Sequence, residues 1–81
     1  MNDFVIERLS GYAHSAWSGW MKYMFSKSMR GANGSLIIPA PLVARWERQS
    51  QTSYSDLPEQ EKASDRAEAY RIIEILDASG A

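Results

Sequence analysis

The sequence predicts a mostly α-helical domain: three helices with at most a short extended segment near residues 35–38. Three observations predict it. Apolar residues recur at spacings of three and four through residues 5–24 and again through 69–76, the period of an amphipathic helix. Between those stretches, Gly31, Asn33-Gly34, Pro39 and Pro41 supply turn chemistry and a helix start. The length, 81 residues with no internal repeat, fits one domain over 1–81.

The first helix is predicted from about Asp3 to Ser28. Val5, Leu9, Tyr12, Ala13, Ala16, Trp17, Trp20 and Met24 lie within about 140° of arc, a wide core-facing stripe. Asn2 or Asp3 is placed to cap it. Gly11 and Gly19 interrupt the helix, and each costs about 1 kcal/mol relative to Ala. Either the helix bends there, or those positions admit a close neighbour, or they are two tolerated glycines on a solvated face. A linker from Lys27 to Gly34 follows. Ser35-Leu36-Ile37-Ile38 reads either as a short strand or as an extended lead into the next helix, which runs from about Ala40 to Gln49 with Leu42, Val43 and Trp46 as its apolar side. A polar connection, Gln51 to Asp56, contains Tyr54. The third helix begins near Leu57, with Asp56 as cap and Glu59 three residues on. It runs to about Ala78 and stops at Gly80, with Ala69, Ile72, Ile73 and Leu76 as its stripe.

Composition excludes several classes. There is no cysteine and one histidine, so no disulfide forms and a structural zinc is not expected. The net charge of −1 argues against a general DNA binder. No signal peptide is visible, and no apolar run has the length of a membrane span. These features lead to a cytoplasmic protein with no cofactor, no bound metal, no DNA partner and no membrane contact. The charge is unevenly spread. Residues 1–48 hold six basic and three acidic groups, net +3, and residues 49–81 hold three basic and seven acidic, net −4. An acidic C-terminal helix packed on a basic N-terminal part accounts for this, as does head-to-tail self-association or a basic pocket for an anion. With no staple, a chain this short needs dense aromatic packing or self-association.

The third helix breaks its own pattern. Its stripe, extended backward, reaches Lys62, Asp65 and Arg66. Charge on a core-facing side must be paired. Either the helix leaves the core there or these groups form a network with Tyr54, His14 or a Trp indole N–H. Contact with a ligand is the other use. His14, the only histidine, has no nucleophile and no carboxylate in evident arrangement, and Glu59, Glu61 and Asp65 do not converge as a catalytic pair must. No catalytic residue is assigned. Trp17, Trp20 and Trp46 suit core packing. Trp17, at the edge of its stripe beside His14, also suits stacking on a nucleobase while a Lys or Arg holds a phosphate.

Two pieces of the sequence together resemble the RyR domain, the repeat named after ryanodine receptors, which also occurs as a stand-alone module in bacteria and their phages. One is His14-x-x-Trp17. The other is Tyr54-x-x-Leu57-x-x-x-Glu61-Lys62-x-x-Asp65-Arg66. The likeness covers roughly residues 9–77, and the chain is similar to small phage and prophage proteins carrying W-S-G-W-M. Ser53 stands where the family usually has Pro, the family's G-W-x-Y-G stretch has no clear counterpart, and residues 28–50 differ. The resemblance implies a mostly helical fold in which Leu57, Glu61 and Asp65, with Lys62 and Arg66, fix the helix to the preceding loop. It implies no catalysis. Paired receptor repeats look like nucleotide-contacting modules, and a single copy implies a homodimer or higher homo-oligomer.

The leading expectation is therefore a non-enzymatic module binding a nucleotide-derived ligand: Trp17 and Trp20 against the base, Arg45, Lys62 or Arg66 at phosphates, His14 and Tyr54 at polar edges. For a phage protein, one use would be sequestering a host signalling nucleotide in the host cytoplasm. The competing expectation is a protein–protein adaptor using an exposed apolar patch around Trp46 or Met21 and Phe25.

Overall fold

The computed structural model describes residues 3–80. In chain order they form α1 (Asp3–Lys27), β1 (Met29–Arg30), a 3-10 turn (Ala32–Gly34), β2 (Leu36–Ile37), α2 (Ala40–Gln51), a second 3-10 turn (Tyr54–Asp56) and α3 (Glu59–Ala78). This is a small, mostly helical protein with one short antiparallel hairpin. The chain falls into two compact units: Met1–Trp17 with Pro58–Ala81, and Ser18–Leu57.

Helix α1 is continuous through both glycines. A Cβ built on Gly11 or on Gly19 would meet nothing within 4 Å, so among the described residues none makes the close approach that is one reading of these positions. Asp3 lies in the first turn, where its charge complements the helix dipole; the cap expected of Asn2 lies outside the described residues. Val5 is 2% exposed, and Leu9, Tyr12 and Ala16 are half-buried at spacings of four and three. The stripe then departs from the expected one. Met24 is half-buried as expected and Met21 joins it, but Ala13 is exposed, and Trp17 and Trp20 stand 59% and 45% exposed.

The expected linker contains a hairpin. Met29 pairs with Ile37 and Arg30 with Leu36. Asn33 and Gly34 take φ of 57° and 79°, both left-handed, as a mirror-image hairpin turn requires. Ser35 N donates to Ala32 O at 3.0 Å, Ser35 Oγ donates to the same carbonyl at 2.7 Å, and Gly31 N donates to Ser35 O at 2.9 Å. Of the two readings of residues 35–38, the strand is the one formed.

Pro39 precedes α2, and its carbonyl accepts from Leu42 N and Val43 N at 3.0 and 3.1 Å. Leu42, Val43, Trp46 and Gln49 are its half-buried face, as the apolar spacing predicts. At its end Thr52 Oγ1 donates to Arg48 O at 2.6 Å, a side-chain bond to one of the last carbonyls of the helix.

Helix α3 begins differently from the expectation. Asp56 does not cap it. That residue closes the second 3-10 turn, where its Oδ2 accepts from Ser53 Oγ at 3.1 Å. Pro58 occupies the cap position, and its carbonyl accepts from both Glu61 N and Lys62 N at 3.0 Å. Two prolyl and seryl features thus replace the capping box: Pro58 fixes the approach of the chain, and the Ser53–Asp56 pair stabilises the turn. Gly80, at φ 72°, ends the helix as a left-handed glycine should.

The stripe expected on α3 is only partly covered. Leu76 and Ile75 are half-buried, but Ala69, Ile72 and Ile73 are exposed. Among the described residues the buried apolar side chains are Val5 and Leu57, and the buried charged one is Glu61. Large apolar groups left outside include Phe4, Ile6, Phe25, Met29, Ile37 and Tyr70.

Candidate functional site

The structure divides the predicted site residues between the units. His14, Trp17, Lys62 and Arg66 belong to one, with Glu61 and Asp65. Trp20, Arg45 and Tyr54 belong to the other, with Leu57.

In the unit formed by Met1–Trp17 and Pro58–Ala81, His14 and Trp17 are one helical turn apart on α1. Their rings stack with centroids 6.0 Å apart and planes 28° from parallel, the contact that i,i+3 spacing provides. On α3, Glu59 ties the two cations of the signature together. Arg66 Nη1 donates to Glu59 Oε2 at 3.1 Å, and Lys62 Nζ lies 3.9 Å from Glu59 Oε1. The sequence places Glu59 in a helix first turn and outside any catalytic pair, with no link drawn to Lys62 or Arg66. Its offsets of three and seven from Lys62 and Arg66, which put all three on one helical face, were the available signal. The core-facing side expected of Lys62, Asp65 and Arg66 is only partly formed: Lys62 is half-buried beside the buried Glu61, whereas Asp65 and Arg66 are exposed.

In the Ser18–Leu57 unit the aromatics form a chain of ring contacts. Trp20 meets Trp46 edge-on, with centroids 5.3 Å apart and planes at 68°. It also stacks on Tyr23 at 5.6 Å and 27°. Lys27 Nζ sits 5.6 Å from the Tyr23 ring centroid, a cation–π geometry. Trp46 is held from α2, while Trp20, Tyr23 and Lys27 come from successive turns of α1. Tyr23 and Lys27 are the functional candidates that sequence reading missed. Their spacing, three and then four residues after Trp20, marks one face of a helix and could have revealed them. This unit carries Lys22, Lys27, Arg30, Arg45 and Arg48 against Glu47 and Asp56, net +3; the remainder of the chain is net −4.

Among the described residues no group of three or more His, Asp or Glu is placed to hold a metal ion, and no helix is long and apolar enough to cross a membrane. In comparisons with family models, curated proteins and solved structures, nothing matches this chain.

Proposed function

We propose that this chain is a non-enzymatic binding module that docks on another protein through the aromatic cluster of its Ser18–Leu57 unit. One observation carries the reading: Trp20 is 45% exposed although Tyr23 and Trp46 already hold its ring. Rings fixed by their neighbours lose little side-chain entropy on binding, and Trp, Tyr and Arg dominate the energetics of protein interfaces. The surrounding charge of this unit, net +3, favours an acidic partner surface. The RyR-like resemblance fits a module of this kind, working in the cytoplasm, or in the host cytoplasm if a phage encodes it. The test is affinity capture from cells that make the chain, with wild type and Trp20→Ala compared at equal loading. A stoichiometric partner that binds directly when purified, and is lost with Trp20→Ala, supports the proposal. Equal capture by both proteins counts against it.

A second reading is favoured by a separate observation. Trp17 is 59% exposed with the His14 ring against it, and Lys62 and Arg66 lie in the same unit. A flat base could stack on Trp17 while a cation meets its phosphate. Calorimetry with mono-, di- and cyclic nucleotides and ADP-ribose derivatives tests this; heat from at least one of them, abolished by Trp17→Ala, is the expected result, and silence across the set removes the nucleotide reading.

A further inference from the structure

We propose that α3 carries a self-complementary face through which two copies of this chain pair as an antiparallel, two-fold symmetric dimer. The face consists of Arg66, Tyr70, Ile73 and Asp77. These positions are spaced four, three and four, so they form one stripe along the helix. All four are exposed: Tyr70 at 63%, Ile73 at 50%, the Arg66 side chain at 45%, and Asp77 likewise outside.

The 4-3-4 spacing reads the same in both directions. An antiparallel second copy, centred between Arg71 and Ile72, therefore maps the stripe onto itself. Tyr70 then lies opposite the partner's Ile73 and Arg66 opposite the partner's Asp77, and two-fold symmetry repeats both contacts. In this register no like charges meet directly: Glu68 faces Ile75, Asp65 faces Ala78 and Glu74 faces Ala69 of the other copy. A parallel, in-register pairing would instead set Arg66 on Arg66 and Asp77 on Asp77. The order of charges selects the antiparallel arrangement, as complementary and repulsive charges select register in other helix pairs. Arg66 already reaches Glu59 with Nη1. Its guanidinium has five donors in a fork, so the partner's Asp77 adds to that contact without displacing it. The two Tyr70–Ile73 contacts form the apolar centre, and the phenol hydroxyls stay at the wet rim. A 20-residue helix is about 30 Å long. One helix face of that length contributes less than the roughly 1,600 Å² of a standard interface, so the dimer belongs to the weak, concentration-dependent class.

The experiment is sedimentation of the full chain across a micromolar concentration series at low salt. Wild type is expected to pass from monomer to dimer. Asp77→Arg and Arg66→Asp each place like charges opposite one another and should weaken dimerisation at least about tenfold. A one-to-one mixture of the two variants regains both opposite-charge contacts and should dimerise as wild type does. Asp77→Asn, the gentler change, should weaken the dimer and reduce its salt dependence. Trp20→Ala should leave the dimer unchanged, which separates this face from the partner-binding one. A wild type that stays monomeric overturns the proposal. So does a dimer indifferent to Asp77→Arg and Asp77→Asn, or a variant mixture that fails to re-associate while each variant retains its helix content.

Discussion

Gly11 and Gly19 offer the sharpest test of how α1 is built. Both lie inside a continuous helix of 25 residues, and neither has a left-handed φ. A Cβ on either would meet nothing within 4 Å, so alanine adds no clash. Each Gly→Ala change then acts chiefly on the unfolded chain, removing conformational freedom that folding would otherwise have to restrict, and stabilises by about 0.4–1 kcal/mol. The two sites are about 12 Å apart along the helix axis, far enough for the effects to add. The double variant should gain roughly 1–2 kcal/mol, and each kcal/mol raises Tm by about 4–8 °C in a domain of this size. Thermal melts followed by far-ultraviolet circular dichroism measure this directly. Gly34→Ala is the internal contrast: its φ of 79° is unfavourable for any side chain, and the hairpin variant should lose about 1 kcal/mol. A double variant that melts at or below the wild-type temperature would refute the reasoning. If stability rises while partner binding falls, the glycines serve the partner and the helix merely tolerates them.

Leu57→Ala should cost about 2–4 kcal/mol, the usual range for a buried leucine, because it removes one of the buried apolar side chains of the described core; urea titration measures it, and a loss under about 1 kcal/mol would place Leu57 outside the core. The hydroxyl of Tyr12 is shut off from solvent with no hydrogen-bond partner among the described residues, so Tyr12→Phe should be neutral or stabilise by up to about 1 kcal/mol; a clear destabilisation in the same titration would reveal a bond to that hydroxyl. Glu59→Gln breaks the contacts to Arg66 and Lys62, but Glu59 is largely exposed, so the loss should stay below about 1 kcal/mol and shrink with added salt; a larger, salt-independent loss would show a structural role for the trio.

Much of the fold was legible because local chemistry determined it. Asn33-Gly34 dictated a turn, and the structure uses both residues at positive φ. Pro39 and Pro41 fixed the start of α2, and Leu42, Val43 and Trp46 marked its inner face. What was not legible depended on contacts between distant segments. Spacing identified a stripe on α1 that contained Trp17 and Trp20, but a helix 25 residues long meets different neighbours along its length. Beyond Ala16, Met21 joined Met24 in the covered positions, and the tryptophans were left outside. Asp56 had the right chemistry for a cap, yet Pro58 two residues later set where the helix could begin. The division of the candidate site between two units was equally hidden, since seven residues drawn from three helices and a loop carry no distance information until the chain folds. The aromatic chain from Trp46 through Trp20 and Tyr23 to Lys27 was half visible: three members share a helix, but the fourth arrives from α2.

The exposed side chains give these observations a common cause. A chain of 81 residues without cysteine has little apolar area to bury and no covalent staple, so surface left uncovered is stabilisation forgone. Helix α3 does not cover all the apolar side chains it carries. It instead holds Ile73 and Tyr70 in solvent, bracketed by a cation at one end and an anion at the other. In the Ser18–Leu57 unit, Trp20 is likewise kept half outside by rings that fix its orientation. Scattered exposed apolar residues need no explanation, but these are ordered: one set by a spacing that is its own mirror, the other by successive ring contacts. The ring contacts stabilise the isolated chain themselves, but leaving Trp20, Tyr70 and Ile73 in solvent adds nothing to it. Under the two proposals made above, each set matches a different second surface: an identical helix for the first, an acidic partner for the second.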